Sequence, residues 1–204
     1  MPKVEFYYFQ AKALGEGARM LLAYGGQEFK DIRIPDNDWP QFKPKTPYGM
    51  MPYMIIDGKI YTQCTAMCRY LGRKYGLSGA DIEEDFEIDQ IVELIQDIRA
   101  KGTHVRNEEN PEVKAKRHAE YTKDQYPLLL KKLDDGIRNN NGYLVAGKLT
   151  WADFFFAGIY DFLKGIMEAP QLDEKYPSFK KLQQTVVNLP GVKEYVAKAP
   201  HCDE

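Results

Sequence analysis

Residues 50–71 read MMPYMIIDGKIYTQCTAMCRYL, and the order of signals in this stretch decides the fold. Pro52 stands at the entry to an apolar run, YMII, where its missing N–H costs no ladder bond. Asp57 and Gly58 form a hairpin signal, so KIYTQ returns against YMII. From Cys64 to about Tyr75 the apolar spacing turns helical, which places a strand end and a helix start at Gln63–Cys64. The stretch is a ββα unit. On local sequence alone the Met51–Pro52 bond is read as trans, because cis bonds are a small minority even before proline. A cis bond would instead turn the backbone of Met51 outward, to offer its N–H and C=O to a peptide laid alongside.

Upstream, VEFYYF alternates as a strand, and GEGARMLLAYGG reads as a short helix closed by Gly25 and Gly26. The polar, proline-punctuated NDWPQFKPKTPYG reads as loop, so the first third runs βα, loop, ββα. LSGADI, near 77–82, reads as a connector whose Asp81 can cap the next helix. Beyond residue 83 strand signals vanish. DFEIDQIVELIQDIRAKG and KAKRHAEYTKDQYPLLLKKLDDGIRNN carry helical periodicity, and Thr150 with Asp153 gives GKLTWADFFFAGIYDFL an acidic variant of the capping box. A last amphipathic helix falls near 176–188, followed by a shorter one and a polar tail, HCDE. The expected organisation is an α/β domain over residues 1–76 and an all-α domain over 83–204.

With 28 Lys plus Arg against 30 Asp plus Glu in 204 residues, nothing calls for a nucleic-acid partner. The amino terminus lacks a long apolar stretch, and FFFAGIYDFLKGIM at 154–167 is broken by Asp161 and Lys164, so neither a signal peptide nor a membrane span is expected. Three cysteines, Cys64, Cys68 and Cys202, argue against a disulfide framework and fit the reducing cytoplasm.

The chemistry-bearing candidates are few. The first N–H groups of a helix lack intrahelical partners and favour an anion, so Gln63 and Cys64 mark a place for a carboxylate; alternatively Thr62 or Gln63 simply caps the helix. Cys64 and Cys68 share a helix face, but two thiols without further ligands make a poor metal site. Tyr7 and Tyr8 point to opposite faces of their strand, so one is core and the other is free to donate from its hydroxyl. A donated hydrogen bond stabilises a thiolate: lowering a thiol from about 8.5 by roughly two units corresponds to about 2.7 kcal/mol. His104, His118 and His201 have no ligand or triad partners in sequence and read as surface residues.

YYF at 7–9, DWPQFK at 38–43, PYGMMPYMIIDGK at 47–59, TQCTAMCRYLGRKYGL at 62–77, IQDIR at 95–99 and GKLTWADF at 147–154, in this order, resemble the sigma-class glutathione S-transferases, insect members above all. Glutathione-dependent prostaglandin D synthases and S-crystallins are related. The resemblance spans essentially the whole chain. It implies a thioredoxin-like amino-terminal domain, a helical-bundle carboxy-terminal domain, a homodimer and glutathione as co-substrate. It makes Tyr8 the thiolate-stabilising hydroxyl. Trp39 and Lys43 would hold the glycyl end of glutathione, Met51 would pair by backbone with its cysteinyl residue across a cis Pro52, and Gln63 and Cys64 would hold its γ-glutamyl carboxylate. Asp97 of the neighbouring chain would meet the ammonium. The electrophile would lie between the domains, against Phe9, Lys12, Leu14, Arg99, Thr103 and Tyr160.

Three departures from the family pattern carry consequences. Position 64 is usually serine, and a thiol is the weaker donor, although the backbone N–H remains. The helix terminus is also expected to lower the Cys64 pKa. Leu14 replaces an arginine of the vertebrate prostaglandin synthases, and Arg99 can supply positive charge instead. Where vertebrate relatives hold a divalent cation, this chain reads Glu93, Gln96 and Asp97, so no metal is expected. The sequence therefore reads as a glutathione transferase for small hydrophobic electrophiles, with peroxidase or prostanoid-isomerase side activity. The alternative is a weakly catalytic or non-catalytic ligand-binding or crystallin-like protein.

Overall fold

A computed structural model describes residues 1–200; His201 and Cys202 lie outside the described residues. The first half is built on a four-stranded sheet. Strand β1 (Val4–Phe9) buries Val4, Phe6 and Tyr8 and leaves Glu5, Tyr7 and Phe9 half-buried, as its alternation requires. Helix α1 (Ala13–Tyr24) crosses over to β2 (Lys30–Ile34), which pairs parallel with β1. After the short helix α2 (Trp39–Phe42) come β3 (Tyr53–Ile56) and β4 (Lys59–Thr62), antiparallel about Asp57–Gly58, and then α3 (Cys64–Lys74). The sheet order is β2-β1-β3-β4. Strand β2 was not expected from sequence. Its KDIRI alternates weakly, and its charges are absorbed by ion pairs from Asp31 to Arg19 (3.0 Å) and Arg33 (2.7 Å). The stretch read as loop contains α2 and three 3-10 turns. The Met51–Pro52 bond is cis, against the local reading and in agreement with the resemblance.

The second half is helical throughout the described residues: α4 (Ile82–Arg106), α5 (Pro111–Glu120), a π turn at Tyr121–Gln125 leading into α6 (Tyr126–Asn139), α7 (Trp151–Ile166), α8 (Leu172–Lys175), α9 (Pro177–Val187) and α10 (Val192–Lys198). Asp81 caps α4, accepting the Glu84 N–H at 2.9 Å. The capping box at α7 is present, and the Asp153 carboxylate accepts from the backbone N–H groups of Thr150 (2.7 Å) and Leu144 (2.9 Å) and from the Thr150 hydroxyl (3.1 Å). Burial nevertheless raises that carboxyl to about 6. Helix α7 is buried from Trp151 to Tyr160 and is the axis of the molecule. It packs on α1 so closely that a Cβ on Gly158 would lie 2.4 Å from the Gly17 nitrogen. One hydrophobic core therefore runs from Phe6 and Leu22 in the sheet half to Phe154 and Phe179 in the helical half. Among the described residues no helix is long and apolar enough to cross a membrane.

Candidate active site

Alternation on β1 separates the two tyrosines. Tyr7 stacks on Tyr53 (centroids 4.5 Å apart) and donates its hydroxyl to Glu5 at 2.9 Å. Tyr8 lies on the other face, 6% exposed, with its hydroxyl accepting the Leu14 N–H from the first turn of α1. Burial pushes its phenol up to about 12; the Leu14 bond opposes this, Cys64 adds to it, and the charges of Arg19 and Arg99 oppose it. Tyr8 is thus protonated at neutral pH, and with Leu14 filling an acceptor position, its own proton is what it has to give.

At the start of α3 the Gln63 side chain makes no capping bond, while the Thr65 N–H is met by the Cys64 sulfur. Gln63 adopts φ +67°, uncommon for a residue with a Cβ, and its side chain reaches out to the Met50 sulfur at 3.8 Å. The capping alternative for Gln63 therefore falls, and the other first-turn N–H groups retain their attraction for an anion. Cys64, half-buried, accepts from Gln96 Nε2 at 3.6 Å. Burial raises its thiol, outweighing the bonds from Thr65 and Gln96 and the Arg99 charge, so the expected lowering is corrected: desolvation of a thiolate costs more here than the helix end returns.

Two residues that sequence reasoning did not place in the site tie it together. Gln96 Nε2 also donates to Thr65 Oγ1 at 3.1 Å, while its carbonyl accepts Arg99 Nε at 2.6 Å, fastening α4 to the first turn of α3. The sequence signal was a glutamine where an acid was sought. Arg19 lies against the Tyr8 ring, 5.7 Å from its centre, signalled only by a charge inside the apolar run ARMLLAY.

Trp39 stands edge-on to Phe9 at 5.1 Å, and Phe9 edge-on to Tyr8 at 5.5 Å, so an aromatic file leads from the hydroxyl to α2. Lys43, exposed, follows one turn after Trp39. Met51 is half-buried and Pro52 buried at the head of β3. Lys12 is exposed, Leu14 and Arg99 are half-buried, and the Thr103 hydroxyl is buried without a partner among the described residues. Asp97 stands apart, exposed on α4 beside a cleft of about 640 Å³ that Lys132 and Asn140 also line. Tyr160 is a correction: it is 1% exposed, packed on Phe156 and Phe179, and its hydroxyl donates to Asp173 at 2.6 Å, so it has no surface with which to line an electrophile site. His104 is exposed and bonded to the Tyr121 hydroxyl (3.0 Å); His118 is half-buried against the Met167 carbonyl (3.2 Å). Among the described residues no group of three or more His, Cys, Asp or Glu could hold a metal ion.

A protonated phenol and a helix start that Gln63 leaves uncapped suit a ligand with an ionisable thiol and a carboxylate. Comparison with known proteins agrees. The family model for the glutathione S-transferase N-terminal domain matches residues 14–79, and that for the C-terminal domain matches residues 96–199. Glutathione S-transferase 2 of Manduca sexta is 54% identical over 98% of both chains, and the hematopoietic prostaglandin D synthase of Gallus gallus 33% identical over 98% of both. The solved structure of prostaglandin synthase D of Nilaparvata lugens superposes with a TM-score of 0.91 at 37% identity, covering 98% of this chain and 100% of that one. The chain belongs to the glutathione S-transferase family, as a sigma-class-like transferase with glutathione as its co-substrate.

Proposed function

We propose that the protein conjugates glutathione to small hydrophobic electrophiles, with Tyr8 donating its hydroxyl hydrogen bond to the glutathione sulfur. The observation that carries this is the Tyr8 hydroxyl itself, buried, protonated and met by the Leu14 N–H from the first turn of α1. The thiol loses its proton to solvent, the thiolate attacks carbon to form the S–C bond, and the leaving group departs with the bonding pair. Donation by Tyr8 favours the thiolate; a two-unit drop from about 8.5 corresponds to roughly 2.7 kcal/mol. Trp39 and Lys43 supply donors for the glycyl carboxylate, Met51 and cis Pro52 the backbone edge for the cysteinyl residue, and Gln63, Cys64 and the α3 terminus those for the γ-glutamyl carboxylate. Asp97, apart from this group within one chain, serves the site of a second copy in a homodimer. Phe9, Lys12, Leu14, Arg99 and Thr103 form the electrophile side.

In this reading residues 1–76 bind glutathione, and residues 83–204 form the electrophile site together with Phe9, Lys12 and Leu14 of the first domain, in a cytoplasmic detoxification enzyme. The prostaglandin D synthase names among its relatives support a prostanoid-isomerase side activity; a peroxidase side activity belongs to the same reading but is not indicated by those names. Cys64, a weak donor, is what favours the second reading, a weakly catalytic ligand-binding or crystallin-like protein. Retention on a glutathione column followed by conjugation of an aromatic halide separates the two. The transferase reading expects both; retention without turnover supports the alternative.

A further inference from the structure

Arg19 is wholly buried in the middle of α1. A guanidinium taken out of water needs its N–H groups paired, and the fork finds four acceptors. Its Nε donates to Asp31 at 3.0 Å, Nη1 to the Ala11 carbonyl at 2.7 Å and to Glu16 at 3.3 Å, and Nη2 to the Phe9 carbonyl at 3.5 Å. Its central carbon stands 5.7 Å from the Tyr8 ring centre and 5.3 Å from that of Phe6. The two carbonyls, Phe9 at the end of β1 and Ala11 in the turn that follows, belong to the stretch that delivers the Leu14 N–H to the Tyr8 hydroxyl. A Cβ on Gly15 would lie 2.6 Å from Tyr8 Cδ1 and 3.3 Å from Arg19 Nη1, so ring and guanidinium both rest on bare backbone.

The two carboxylates that hold Arg19 are held in turn from elsewhere. Asp31 also accepts Arg33 Nε at 2.7 Å. The Tyr195 hydroxyl, brought in by α10, donates to Glu16 at 3.3 Å and accepts Arg33 Nη2 at 3.4 Å. Glu16, Arg19, Asp31, Arg33 and Tyr195 thus close a ring of two cations, two carboxylates and one phenol, which joins α1, β2 and α10 behind the tyrosine.

We propose that Arg19 is a positioning residue for Tyr8, fixing its ring and the turn that meets its hydroxyl, and that Tyr195 extends this control to α10. The inference rests on the assignment of Tyr8 above. A lysine at position 19 keeps the charge but cannot hold two carbonyls and two carboxylates in one plane, so geometry and charge separate in that variant.

The test compares wild type with Tyr8→Phe, Arg19→Lys and Tyr195→Phe, reading glutathione affinity by calorimetry, the pKa of bound glutathione by thiolate absorbance, turnover with an aromatic halide, and melting temperature. Affinity is expected to stay within about twofold while turnover falls about tenfold or more in Arg19→Lys and severalfold in Tyr195→Phe, since a misplacement of about 1 Å can cost 10²-fold. The bound thiol's pKa is expected to rise in the same order. A lowered melting temperature with wild-type turnover and thiol pKa in both variants makes the ring purely structural and overturns the inference while leaving Tyr8 in place. If Tyr8→Phe itself turns over like wild type, the Tyr8 assignment falls and the inference with it. Should Arg19→Lys not fold, Tyr195→Phe, which removes a single oxygen at the far end of the ring, decides alone.

Discussion

Cys64 shows how a single side chain departs from what its place in a helix suggests. It opens α3, where a helix end favours an anion, yet burial leaves its thiol raised. Thiolate is therefore scarce at neutral pH. Alkylation of Cys64 is expected to be slow at pH 7, to accelerate as pH rises above the usual thiol range, and to be suppressed by glutathione; fast alkylation at pH 7 without glutathione would contradict the burial argument. Cys64→Ser is expected to tighten glutathione binding by roughly 0.5 to 1.5 kcal/mol, the worth of one ordinary hydrogen bond, because only the side-chain donor improves. Calorimetry showing equal or weaker binding would remove the claim that the thiol impairs the site. Tyr7 provides the matching control. Its hydroxyl is committed to Glu5 and its ring to Tyr53, so Tyr7→Phe should leave turnover within about twofold.

At the scale of elements, stability concentrates at the start of α7. Asp153→Ala would strand the buried N–H groups of Thr150 and Leu144, at an expected cost of about 2–4 kcal/mol and a melting temperature lower by several degrees. A change under 0.5 kcal/mol in denaturant unfolding would show that water reaches these groups. This cap was legible in sequence because a capping box is local chemistry, three residues apart. So were β1, the β3–β4 hairpin and the helical second half, whose periodicities repeat over enough residues to stand out. Strand β2 was not, since its charges mask the alternation, and the Asp31 carboxylate is paired both within the strand, to Arg33, and to Arg19, distant in sequence. The site divides the same way. Tyr8 and the Gln63–Cys64 helix start were visible as residue types at element ends. The Gln96 bridge and the Arg19 support exist only once α4 lies on α3 and α1 behind β1, and the burial of Tyr160 only once α7 meets α9.

At the scale of the whole molecule, α1 and α7 meet at Gly17 and Gly158 and make one core of the two halves, so the sheet half is not free to shift against α4. That rigidity lets Arg99 and Gln96 act on a site whose other members lie on β1 and α3. Asp97 faces outward from the same helix, where only the homodimer that the family resemblance implies would bring it to a glutathione site. Asp97→Ala should weaken glutathione binding about five- to thirtyfold if it removes a charge-assisted hydrogen bond of 1–2 kcal/mol. A monomer by light scattering with full glutathione affinity would exclude the shared site. The central claim, that the Tyr8 hydroxyl holds the glutathione thiolate, is tested most directly by titrating bound glutathione through its thiolate absorbance in wild type and Tyr8→Phe. A pKa well below that of free glutathione in wild type, returning to within about half a unit of the free value in Tyr8→Phe with affinity unchanged, is the predicted result; the same lowered pKa in both proteins would contradict it.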